Sequence, residues 1–119
     1  MSRAFLLFVS LCAWATSAWA HSALVRTDPQ DGATLSQIPF EIRMWFSEPI
    51  KAALSTIEVH DAAGKQVDRR DLRADAKEPS LVRLSLAGDL APGSYKVSWS
   101  AVAQDMHVGR GSFRFTVQP

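Results

Sequence analysis

Three histidines, His21, His60 and His107, and one carboxylate at fixed spacing, Asp105, are the residues of this chain best suited to hold a metal. His21 is set apart by what precedes it. Arg3 is followed by an apolar run over residues 4–14, broken only by Ser10, and then by Ala18-Trp19-Ala20. A positive start, an apolar middle and small residues at the two positions a signal peptidase reads are the three parts of a secretory signal in order. The apolar run is shorter than the ~20 residues a membrane-spanning helix needs, so an exported, cleaved product is expected rather than an anchored one. Cleavage between Ala20 and His21 would make His21 the first residue of the mature protein. An N-terminal histidine offers one metal both its α-amine and an imidazole nitrogen, which no internal histidine does.

Asp105 and His107 flank Met106. In extended backbone, residues i and i+2 point to the same side, so a carboxylate and an imidazole face one spot. Alone this is a weak signal, since a turn aspartate beside a solvent-facing histidine has the same spelling. Its weight comes from the elements that must position it. Phe40, Ile42, Met44 and Phe46 alternate with polar neighbours. So do Ile57 and Val59; Val82, Leu84 and Leu86; Tyr95, Val97, Trp99 and Ala101; and Phe113, Phe115 and Val117. Period-two alternation places each apolar set on one sheet face, toward a shared core. A first strand over 23–27 and a polar one over 66–72 bring the number to about seven, which predicts an all-β, immunoglobulin-like Greek-key β-sandwich or barrel. Turn residues Pro29, Gly32, Pro39, Pro49, Gly64, Pro92 and Gly93 separate the strands. Residues 73–80 are the longest expected loop. Leu90 to Tyr95 reads as a tyrosine corner, with the Tyr95 hydroxyl bonding back to nearby backbone. Arg69, Arg70 and Arg73, interleaved with Asp68, Asp71 and Asp75, read as a solvated edge strand.

If consecutive strands alternate in direction, the start of the first, the end of the second and the end of the sixth share one end of the sandwich. His21, Glu48, Asp105 and His107 then converge. His60 closes the third strand and falls at the other end, ~17–20 Å away by typical strand length, where a surface histidine is the plain expectation.

Domain organisation and charge narrow the partners. Residues 1–20 are the expected signal and residues 21–119 a single domain, 99 residues long, with its own core. Cys12, the only cysteine, leaves with the signal, so disulfides and thiolate ligands are excluded from the mature chain. Arg3 leaves too, which balances 12 basic against 12 acidic residues. A neutral, mixed-sign surface attracts neither nucleic acid nor an anionic membrane. The expected product is a soluble periplasmic monomer.

An amine, two imidazoles and a carboxylate make three nitrogen donors and one oxygen donor. That set suits tetragonal Cu(II), the tightest-binding divalent ion of the first-row series, whereas zinc more often takes a tetrahedral set.

The residues also carry a resemblance. His21-Ser22-Ala23-Leu24, Pro29-Gln30-Asp31-Gly32-Ala33 and Phe46-Ser47-Glu48-Pro49 resemble the opening of a CopC-like copper-resistance protein. Leu90 to Tyr95, and Asp105-Met106-His107 through Phe113-Arg114-Phe115-Thr116-Val117, resemble its closing half. The resemblance implies a periplasmic protein holding one Cu(II) ion per chain through His21, Asp105 and His107. Glu48 would lie beside the metal, axial or linked by water. It further implies cooperation with a CopD-like inner-membrane copper transporter. The chain departs from the family pattern at Met106, where glycine is usual. An ordinary backbone is expected there, with the side chain partly covering the site. The methionine-rich Cu(I) site of some members has no counterpart, because the middle of this chain holds His60 and no methionine close by. Two other functions fit parts of the pattern: an N-terminal-histidine copper oxygenase, which would need the coordination position Asp105 fills, and a metal-free interaction or adhesion sandwich.

Overall fold

The structure, a computed structural model, describes residues 23–119. Among them the strands are β1 (Leu24–Asp28), β2 (Thr34–Leu35), β3 (Glu41–Phe46), β4 (Thr56–His60), β5 (Arg73–Ala74), β6 (Leu81–Ser85), β7 (Gly93–Val102) and β8 (Val108–Val117). A single 3-10 turn, Ala52–Leu54, precedes β4. One sheet has the order β1-β3-β6-β5 and the other β2-β8-β7-β4. Only β5 to β6 and β7 to β8 stay within one sheet; every other connection crosses between the two, as in the Greek-key pattern of an immunoglobulin-like sandwich. The inward residues of both sheets meet in one core that includes Ile42, Met44, Phe46, Ile57, Val59, Val82, Leu84, Tyr95, Val97, Phe113 and Phe115.

Alternation in direction holds. β1 runs antiparallel to β3, β3 to β6, β6 to β5, β4 to β7, and β7 to β8. The tyrosine corner is present: the Tyr95 hydroxyl donates to the carbonyl of Ala91, and the Tyr95 ring stacks on Phe115 at 5.3 Å between centroids.

The structure departs from expectation in several places. The polar segment 66–72 is not a strand. Gln66 bridges His60 of one sheet and Asp68 bridges Leu86 of the other, so the segment crosses between sheets and builds no ladder on either. The edge strand comes later, at β5, inside the segment expected to be loop. β2 is a two-residue strand running parallel to β8, too short to show alternation. Phe40, expected on the core face, lies outside β3 and is 78% exposed. β8 starts earlier than the Phe113–Val117 pattern implies, because its upper inward positions are Gly109 and Gly111. Trp99 of β7 fills that space: a Cβ on Gly111 would meet its ring at 2.7 Å and one on Gly109 at 3.5 Å. The same indole meets Phe46 edge-on at 5.8 Å.

Candidate metal centre

The loop between β7 and β8 is closed at its base by Val102 opposite Val108. Within it the Ala103 N–H donates to the His107 carbonyl, and the Met106 N–H donates to the Ala103 carbonyl, both at 2.9 Å. This tight return turns Met106 into the left-handed region, φ 70°. The backbone there is therefore not ordinary, which corrects the expectation. A side chain at such a φ costs about 1 kcal/mol relative to glycine, and the Met106 side chain stands 58% exposed.

The turn also changes how Asp105 meets His107. The two do not share a side through extended backbone. One Asp105 oxygen accepts the His107 backbone N–H at 3.1 Å, and the other meets His107 Nδ1 at 2.9 Å. A carboxylate at Nδ1 favours the tautomer with the proton there, leaving the lone pair on Nε2, the arrangement that prepares a histidine for a metal. With Asp105 at Nδ1, a metal on Nε2 would stand on the far side of the ring, so Asp105 reaches the same ion only by turning away from Nδ1. The His107 side chain is 58% exposed and that of Asp105 33%, so both are reachable from solvent.

Other segments are tied to the same end. Ala23 and Ser47 bond twice: the Ser47 N–H donates to the Ala23 carbonyl at 2.8 Å, and the Ala23 N–H donates to Ser47 Oγ at 2.9 Å. Glu48 follows in the exposed turn after β3. Two residues further, Ile50 bridges Ala103, and the Lys51 N–H donates to the Val102 carbonyl at 2.8 Å. The start of β1, the Glu48 turn and the Asp105–His107 loop thus lie at one end of the sandwich. His21 lies outside the described residues, as does the cleavage site before it. Among the described residues, no three histidine, cysteine or acidic side chains form a metal-sized group.

His60 is at the opposite end. It pairs with Lys96 of β7, and the six residues from there to Val102 span about 20 Å. Its ring lies 3.7 Å from Glu58. Ser47 is the residue that sequence reasoning undervalued: it pins the incoming chain. Its signal was only its place beside Glu48.

An immunoglobulin-like sandwich with a histidine–carboxylate pair in its last hairpin loop, next to the pinned start of β1, defines a class of small metal-handling β-domain. A model of the CopC domain matches residues 24–118, and the chain belongs to that family. Copper resistance protein C of Xanthomonas campestris pv. juglandis is 33% identical over 107 residues, covering 86% of this chain and 84% of that one. Copper transport protein CutJ of Bacillus subtilis is 24% identical over 101 residues, 85% of this chain but 19% of that much longer protein. The crystal structure of CopC from Methylosinus trichosporium OB3b superposes with a TM-score of 0.76 at 30% identity, covering 83% of this chain and 95% of that one. These relatives make the family one of copper resistance and transport. No helix among the described residues is long and apolar enough to cross a membrane.

Proposed function

We propose that this protein is exported to the periplasm, cut before His21, and there binds one Cu(II) ion as a non-enzymatic carrier or buffer. The ligands are the His21 amine and imidazole, the His107 imidazole and the Asp105 carboxylate, with Glu48 beside them. The observation that carries this reading is the pair of hydrogen bonds between His107 and Asp105, which gathers an imidazole and a carboxylate on one short loop; on copper binding the carboxylate would turn from Nδ1 to the ion. Support for His21 is covalent: only Ser22 separates it from Ala23, a reach of at most about 7 Å, and Ala23 is pinned to Ser47 at the same end. Four donors fill the equatorial positions of a tetragonal ion and leave none open for chemistry on a substrate. Handover to an inner-membrane transporter of the CopD kind follows the pattern of CutJ, where a stretch like this one forms part of a larger copper transport protein.

The test compares protein processed at His21 with protein carrying one extra residue before it, each titrated with Cu(II) and followed by electron paramagnetic resonance. The processed form is expected to bind one ion with a nitrogen-rich tetragonal signal. Equal affinity in the extended form would remove the amine from the ligand set.

A further inference from the structure

The two outer faces of the sandwich treat their cations differently. On the β1-β3-β6-β5 face, Arg43, Arg83 and Arg73 stand in a row across three strands. Each has carboxylates. Arg43 binds Asp28, Arg83 binds both Glu41 and Asp75, and Arg73 binds Asp71 at 3.0 Å. The hydrogen bond from Arg83 holds the Asp75 carboxyl below the usual carboxylate range. On the β2-β8-β7-β4 face, Lys96 sits directly opposite Arg114, and Arg110 lies opposite Ser100. None of these three cations has an ion pair among the described residues. Like charges facing each other across a ladder destabilise it, so this face keeps an arrangement that folding alone does not favour.

β8 is also open on one side. Arg114 and Thr116 use their outer backbone groups on residues 31–33: the Gly32 N–H donates to the Arg114 carbonyl, the Arg114 N–H to Asp31, and the Thr116 N–H to the Ala33 carbonyl. Strand alternation sends the N–H and C=O groups of Val108, Arg110 and Ser112 to that same side. β2 has ended before it reaches them, and none has a partner there among the described residues. Beside this edge a cleft of about 300 Å3 lies between β8 and β1; Leu24, Val25, Trp99 and Phe113 give it apolar walls, and Arg26 and Asp31 also line it. Val25 is 67% exposed.

We propose that residues 108–113 of β8 receive an added strand from another protein, an extended segment alternating acidic with apolar side chains. Its backbone pairs with Val108, Arg110 and Ser112. Its carboxylates lie beside Arg110 and Arg114 on the outer face, and its apolar side chains enter the cleft over Trp99 and Val25. Strand addition of this kind takes affinity from backbone bonds and specificity from alternate side chains. A second copy of this chain is a poor occupant, because edge-to-edge pairing brings the two copies' Arg110 and Arg114 together. The segment would start beside His107, so a partner bound here sits next to the candidate metal centre without using its residues.

Nitrogen-15-labelled protein purified after export is titrated with a peptide of about nine residues, a common strand length, alternating glutamate with valine. A second titration uses the same peptide with lysine for glutamate. The expected result is amide exchange slowed about tenfold at Val108, Arg110 and Ser112 by the glutamate peptide alone. Added salt and Arg110→Glu should each weaken binding about tenfold. Ser112→Pro, which removes one edge donor but no bond to β7, should weaken it as well. Equal effects of both peptides would overturn the proposal. So would unchanged exchange at the three amides, self-association through this edge, or protection of the same amides by phosphatidylglycerol vesicles instead of the peptide.

Discussion

Two short stretches of this chain have the same spelling, a carboxylate, an apolar residue and a histidine, yet they make different objects. Glu58-Val59-His60 is the end of a strand. Val59 points into the core and is fully buried, while Glu58 and His60 share the outer face by pleat alone, with Glu58 Oε2 3.7 Å from His60 Nε2. Asp105-Met106-His107 is a turn. Its middle residue is exposed at φ 70°, and its carboxylate holds both the backbone and the ring of the histidine. The ring nitrogen taken also differs. Glu58 faces Nε2 of His60, whereas Asp105 takes Nδ1 of His107. A pleat brings two side chains near each other; a turn fixes how they present themselves.

The contrast breaks most sharply on copper. His107→Ala is expected to weaken Cu(II) binding by more than about a hundredfold, beyond the loss typical of an outer-shell partner, while His60→Ala leaves it unchanged. Competition with a chelator of known affinity measures both, and equal losses would erase the distinction. Asp105→Asn keeps an acceptor for the turn but removes the charge, and should cost about ten- to a hundredfold in the same assay; Glu58→Gln should cost nothing. The middle residues sharpen the comparison through stability. Val59→Ala deletes buried methyl groups and should destabilise by about 2 kcal/mol in urea unfolding. Met106→Gly should move the other way, by about 0.5–1 kcal/mol, because it relieves the left-handed backbone. A destabilised Met106→Gly would mean that the side chain contributes packing which its exposure does not show.

The strands whose inner faces alternate without interruption were readable from sequence, and with them the sandwich and the end at which His107 falls. That is physical necessity: a single buried face fixes register and direction. Elements that take their place from long-range contacts left little trace. β2 is two residues borrowed by β8, and the upper part of β8 hides its alternation because Gly109 and Gly111 yield their space to a tryptophan ten or more positions earlier. The pairing of Asp105 with His107 was expected for a reason that does not apply. Extended backbone would have placed them side by side, but the turn at Met106 places them face to face. Glycine is the usual sign of such a turn, and the methionine concealed it.

The tryptophan that lies across two glycines of the neighbouring strand carries an evolutionary constraint. At 2.7 Å from where a Cβ on Gly111 would stand, the indole forbids even alanine unless the ring itself changes. Trp99 and Gly111 therefore form one heritable unit. In descendants of this chain, the loss of the large ring and the gain of a side chain at Gly111 are expected to arrive together, and a lineage that makes only one of the changes opens or jams the roof of its own core.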